Sequence, residues 1–200
     1  PGVPGDTVLA EPIRTTGNLP RYRLQEIVHP SSHRRVPECA HFGLCGGCKW
    51  MATKPEHEAY LKYGSVENSL KRIGGFSAAP LALLISAPNR IHYRNKLELM
   101  PIPAEERWGL HAFGNSKRMV ALDGCEIAHP RLSDALLILE EVPELTATMT
   151  RVSMRLHQDD EVFLVLFGKH PPSPAQVKIL MPFAGIWWKG ENEKPARRLH

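Results

Sequence analysis

PECAHFGLCGGCKW, residues 37–50, decides how this chain is read. It packs Cys39, Cys45 and Cys48 into a C-x5-C-x2-C pattern, and the remaining cysteine of the four, Cys125, lies far downstream in ALDGCEIAHP. Four thiolates are the full ligand set of one cubane iron–sulfur cluster or one tetrahedral zinc. Gly43, Gly46 and Gly47 suit a loop that folds tightly about a metal with no Cβ in the way. The competing assignment is two disulfides or four buried thiols. Against it, the chain shows no signal-peptide pattern and no apolar run long enough to span a bilayer. A chain of 200 residues also buries enough surface to fold without staples. The expected setting is the cytoplasm, with no membrane association, and in a reducing cytosol close cysteine spacing points to metal.

Spacing favours iron–sulfur over zinc. Structural zinc sites pair two C-x2-C knuckles, or one knuckle with two histidines. Here there is a single knuckle, Cys45 and Cys48, with Cys39 upstream of it and a remote fourth cysteine. Three clustered ligands plus a distant one is a common iron–sulfur plan. His33 and His41 are close enough in sequence to be alternative ligands, but four thiolates already complete the shell.

The formal charge is +4. A [4Fe–4S]2+ core on four thiolates carries about −2, leaving roughly +2. That permits a polyanionic partner without demanding one. The local hint is stronger. Arg34 and Arg35 precede the cysteine loop and Lys49 follows its last cysteine.

Outward from the loop, Val8-Leu9-Ala10 and the alternating Tyr22, Leu24 and Ile27-Val28 predict short strands, as in the second half of a small β-barrel. Thr53, Pro55 and Glu56 predict a capped helix start. Ala59, Tyr63, Val66, Leu70 and Ile73 form its apolar stripe, and Gly74-Gly75 its end. Tyr93, Leu97 and Leu99 alternate with Arg94, Lys96 and Glu98, predicting a strand with one basic face and Tyr93 on the core side. A hairpin is predicted over Gly109–Phe113 and Arg118–Leu122, delivering Cys125 just beyond it. Leu132, Ala135, Leu136, Leu139 and Val142 mark a helix stopping at Pro143. Strands follow at 151–156 and 162–167, then a short helix from Ser173-Pro174 and a last strand at Ile186-Trp187-Trp188. Adjacent strand residues face opposite ways, so one of these tryptophans is expected in the core.

The cysteine motif, the T-K-P-E-H-E-A-Y-L-K helix, Y-R-N-K and D-G-C-E-I together resemble the RNA (uracil-C5-) methyltransferases of the iron–sulfur 23S rRNA type. The resemblance covers essentially all 200 residues, as the N-terminal and central part of that family. It implies an α+β fold: the C-terminal part of an OB-like TRAM β-barrel, then a mixed α/β central domain with a four-cysteine cluster loop, the Rossmann-like methyltransferase domain missing. The implied divisions are 1–32 for the partial TRAM barrel and 33–50 for the cluster loop. Residues 51–76 form a helix packing on the missing methyltransferase domain in cis, and 77–192 a central α+β domain carrying the fourth ligand. It implies one [4Fe–4S] cluster on Cys39, Cys45, Cys48 and Cys125, structural and RNA-positioning rather than redox-active.

The family's reaction uses a cysteine nucleophile at C6 of uracil, S-adenosylmethionine as methyl donor to C5, and a carboxylate base. No cysteine remains for that role here, and no Gly-rich strand-to-helix turn is present for the cofactor. S-adenosylmethionine is therefore expected only in the full-length protein, and this chain alone is expected to be inactive. The implied partner is RNA, 23S rRNA by the family's habit, with Arg34, Arg35, Lys49, Arg94 and Lys96 as candidate contacts. Two other readings fit less well. One is a non-catalytic adaptor or RNA-binding module holding zinc on the four cysteines. The other is a radical S-adenosylmethionine tRNA-modifying enzyme, whose C-x3-C-x2-C motif leaves one iron open.

Overall fold

The computed structural model describes residues 1–13, 20–190 and 195–200. The boundary expected at 192 lies outside the described residues. Contacts divide the chain into two units that interleave in sequence: Pro1–Glu38 with Cys48–Ala87, and Cys39–Gly47 with Pro88–His200.

In the first unit, β1 (Thr7–Ile13) and β2 (Arg21–His29) pair antiparallel from Thr7↔His29 to Ile13↔Arg21. No other described strand joins them. The expected barrel tail is therefore a two-stranded ribbon. Its residues are almost all exposed, and neither strand contains a buried residue.

The ribbon is followed by a short cross-link. Arg35 N–H donates to the Ala52 carbonyl and Lys54 N–H to the His33 carbonyl, each at 2.8 Å. This pairing explains why Thr53 is not the expected N-cap. It is drawn into a bridge with Arg34 and is 1% exposed. Helix α1 (Pro55–Arg72) starts from Lys54 with no side-chain cap. The predicted stripe of α1 is present, yet no residue of the helix is buried.

The second unit is a seven-stranded sheet. Its strands are β3 (Lys96–Ile102), β4 (Arg107–Ala112), β5 (Asn115–Ala121), β6 (Met149–Leu156), β7 (Val162–Gly168), β8 (Gly185–Lys189) and β9 (Arg197–Arg198), in the order β5-β4-β3-β6-β7-β8-β9. All neighbours are antiparallel except β7–β8. That parallel pair requires a crossover, which α4 (Pro174–Ile179) supplies. Ser173 and Gln176 close a reciprocal capping box at its start. The expected mixed α/β central domain is thus mainly antiparallel sheet, because short turns join most consecutive strands.

Helix α2 (Pro130–Glu140) and the short α3 (Leu145–Thr148) cover one face. Leu132, Leu136 and Leu139 are buried with Leu97, Leu99, Val152, Met154, Leu164 and Leu166. Tyr93 corrects its expected place: β3 begins three residues later, and the ring is 59% exposed. Trp188 is in the core and Trp187 is half-buried on the other face.

Candidate metal centre

The cysteine loop is built onto the end of β4. Gly46 N–H donates to the His111 carbonyl at 2.8 Å and Phe113 N–H to the Leu44 carbonyl at 2.7 Å, so Cys45 bridges Ala112 as an extra strand residue. The approach is close enough to need a glycine: a Cβ on Gly46 would sit 3.0 Å from the His111 oxygen. Within the loop, Phe42 N–H donates to the Cys39 carbonyl at 3.1 Å and Cys45 N–H to the His41 carbonyl at 2.8 Å. Gly43 takes φ +84°, a left-handed conformation that glycine accepts at little cost. Gly47 N–H points at Cys45 Sγ at 3.4 Å, the kind of contact that stabilises a thiolate.

Cys125 lies in the same unit, in the segment between β5 and α2. Its carbonyl accepts the Ala128 N–H at 2.9 Å, closing a tight turn. Burial pushes the Cys125 thiol above its ordinary range. The Ala128 and Ile127 amides and the Arg94 charge pull the other way, while Cys39 adds to the rise. Backbone N–H donors, a nearby cation and a second cysteine are a thiolate-ligand environment; a bound cation would take the proton's place.

No disulfide joins the cysteines. Among the described residues, no group of three or more His, Cys, Asp or Glu side chains stands arranged to hold a metal ion. The donor chemistry therefore fits a thiolate-bound metal, while a closed ligand shell is not formed. Cys48 belongs to the first unit, and the other three cysteines to the second.

The segment leading to Cys125 is anchored by a residue that sequence reading did not single out. Arg107 donates to Asp123 Oδ1 and the Leu122 carbonyl at 2.8 Å each, and to Glu140 Oε1 at 3.0 Å. It joins β4, the Cys125 turn and α2. No local pattern marks it, since its partners lie 15 to 33 residues away. His41 Nε2 stands 3.7 Å from Asp123 Oδ2.

The five basic candidates divide between the two units, Arg34, Arg35 and Lys49 in the first and Arg94 and Lys96 in the second. Arg34 is taken up by Asp6 at 2.6 Å and by the Pro1 carbonyl at 3.1 Å. Arg35 pairs with Glu38. Lys49 is exposed. Arg94 lies beside Cys125, and Lys96 pairs with Glu98 at 2.8 Å.

No family model matches the chain. An uncharacterized RNA methyltransferase of Chlorobaculum tepidum is 32% identical over 155 residues, covering 69% of this chain and 32% of that protein. A 23S rRNA (uracil(1939)-C(5))-methyltransferase of Bordetella parapertussis is 26% identical over 202 residues, covering 96% and 43%. The crystal structure of the tRNA (uracil-54, C5)-methyltransferase of Pyrococcus abyssi, solved with S-adenosyl-L-homocysteine, shares the fold with a TM-score of 0.67. It is 19% identical, and the match covers 96% of this chain and 46% of that one. These relatives place the chain in the RNA (uracil-C5) methyltransferase family. The chain spans about a third to less than half the length of the relatives it matches. The shared fold completes the correction of the expected fold class. The ribbon and seven-stranded sheet follow a methyltransferase structure along nearly the whole chain, so the fold is defined by what it matches and not by a domain it lacks.

Proposed function

We propose that this chain serves an S-adenosylmethionine-dependent RNA (uracil-C5) methyltransferase acting on 23S rRNA in the cytoplasm, as a part that holds a [4Fe–4S] cluster and positions RNA. Cys39, Cys45, Cys48 and Cys125 are its proposed ligands. One observation carries the reading: two segments far apart in sequence, residues 39–47 with Cys39 and Cys45 and the Cys125 turn, fold into one unit. When bound, a fully ligated cluster supplies a rigid cross-link between those segments, with no open iron for a cosubstrate.

The chain's own residues do the rest. Gly46 lets the loop lie on β4, Arg107 holds the Cys125 turn, and the amides of Ile127 and Ala128 favour the thiolate there. Residues 33–50 are the cluster loop of this reading, 51–76 the helix that follows it in sequence, and 77–192 the part carrying the fourth ligand. Lys49 and Arg94 are the proposed RNA contacts nearest the cysteines. Arg34 and Arg35 serve chiefly to fix the loop's entry, through Asp6 and Glu38. No helix is long and apolar enough to cross a membrane among the described residues.

With all four thiols engaged, none is left to add to C6 of uracil, so this chain by itself transfers no methyl group. Incubating it with labelled S-adenosylmethionine and rRNA tests that; label appearing in the RNA would contradict it. Anaerobic purification tests the cluster. A brown protein with absorbance near about 400 nm supports it, and a colourless one with stoichiometric zinc supports the adaptor reading instead.

A further inference from the structure

The seven-stranded sheet has two faces, and only one is accounted for by the core. The register sets out the other. Lys96, Arg155, Phe163 and Gly185 lie in one cross-strand row. Glu98, Ser153, Val165, Trp187 and Arg198 lie in the next, and Arg151, Phe167 and Lys189 in a third. The buried row partners Leu97, Met154, Leu164 and Ile186 alternate with the first row and point into the core. The rings of Phe163, Phe167 and Trp187 are only half-buried, and Arg155 and Arg198 are exposed.

Two details make this more than a solvated surface. Trp187 lies flat. A Cβ on Gly185 would stand 2.6 Å from Cη2 and Cζ3 of the indole, so the missing side chain is what lets the ring lie down along its own strand. One edge meets Phe163, at 5.8 Å between centroids and 48° between planes. Arg198 Cζ stands over one face of the Trp187 ring, 5.9 Å from its centroid. By contrast Arg151 sits 4.0 Å above Phe167 and covers it. Charge is the second detail. Glu98, the acidic side chain of these rows, is matched by Lys96 at 2.8 Å and Arg151 at 3.7 Å; Arg155, Lys189 and Arg198, the last with Nε on the His200 carbonyl at 2.9 Å, are the further cations of the rows.

We propose that this sheet face binds single-stranded RNA, with one base stacked on Trp187 and the flanking phosphates held by Arg155 and Arg198. A flat aromatic ring inside a cationic surface suits a polymer of π-faced bases on a polyanionic backbone, and sequence-tolerant stacking on sheets works this way. Guanidinium groups suit phosphate oxygens, which they contact through a planar fork. A protein partner with an apolar docking patch would have to desolvate these cations. The inference rests on the RNA reading above and adds to it a place that none of the five basic candidates except Lys96 touches.

The test is anisotropy of a fluorescein-labelled oligouridylate of about 12 nucleotides, within the usual site size. Trp187→Ala is expected to weaken binding about fivefold or more, and Trp187→Phe to retain most of it. Arg155→Gln is expected to lower the slope of log K against log salt by about 0.7. It keeps the test decisive if Trp187→Ala misfolds by circular dichroism. Unchanged binding in Trp187→Ala and an unchanged slope in Arg155→Gln, with the parent chain binding normally, would overturn this face and leave the RNA reading intact. A parent chain that binds no RNA would overturn both. Sedimentation showing self-association that Trp187→Ala abolishes would overturn it in favour of a second copy.

Discussion

Asp6 and Arg34 form a two-toothed contact, Nη2 to Oδ2 at 2.6 Å and Nε to Oδ1 at 3.1 Å, with the Asp6 side chain 2% exposed. The same carboxylate accepts the Val3 N–H at 2.6 Å and the Ser31 N–H at 2.9 Å. It therefore ties the start of the chain to the end of β2. Arg34 and the two amides hold its carboxyl far below the ordinary 3.8, against the opposing effect of burial. Its folded value is depressed, so its stabilisation is present above pH 3.8 and is lost as the pH falls below that value. Asp6→Asn is expected to cost about 2–3 kcal/mol by leaving Arg34 without its charge partner. Hydrogen exchange at the Val3 and Ser31 amides checks it; unchanged protection would show that the contact is not structural.

His33 and His57 stack face to face, 3.7 Å between ring centroids and 7° from parallel, with Tyr60 beyond His57 at 5.9 Å. His57 Nε2 is buried without a hydrogen-bond partner. Desolvation first, then the His33 charge, lowers the His57 pKa from 6.5. The unfolded chain thus binds the proton more readily, and the stack's contribution declines as pH falls below 6.5. The expected observation is a loosening of residues 33–57 at mildly acidic pH that His57→Phe removes. An NMR titration of the His57 ring with a midpoint at or above 6.5 would contradict it.

Gly109 lies where β4 meets β5. A Cβ there would stand 2.2 Å from the Val120 carbonyl oxygen and 2.8 Å from Ile102 Cδ1. The first neighbour is backbone and cannot rotate away. Gly109→Ala is expected to destabilise the second unit by about 2 kcal/mol or more, as overpacking does. Denaturant unfolding followed through buried Trp108 reports it directly.

Arg107 is held by Asp123 and then Glu140, which together raise its pKa. These partners are partly exposed, so the ion pairs themselves are worth about 1 kcal/mol or less. Their effect is positional. In metal-free protein, Arg107→Gln is expected to free the Cys125 turn and speed alkylation of Cys125 about threefold or more. An unchanged rate would assign the clamp to packing alone.

Much of the second unit was legible because its burial follows simple periods. Leu132, Ala135, Leu136 and Leu139 repeat at helical spacing and are all buried in α2. The Ser173 signal and the strands at 151–156 and 162–167 were equally local. What escaped was set by distant partners. The Thr53 cap signal is a sound local pattern, overridden because Arg35 N–H donates to the Ala52 carbonyl and Lys54 N–H to the His33 carbonyl on either side of it. The alternation through Tyr93 ran past the true strand start, because His92 adopts φ 58° and breaks the extended chain. A ribbon and a barrel wall share one sequence pattern, and only pairing beyond β2 distinguishes them. Of the site, the four cysteines were visible as residues, and the joining of Cys39 and Cys45 with Cys125 in one unit required the fold.

The central claim, one metal cluster on four thiolates, is tested most directly by iron and sulfide analysis of anaerobically reconstituted protein beside its Cys125→Ser variant. The account predicts about four irons and four sulfides per parent chain, with both lost or sharply reduced in the variant. A parent chain that takes up zinc but no iron, or a variant that keeps the full complement, would contradict it.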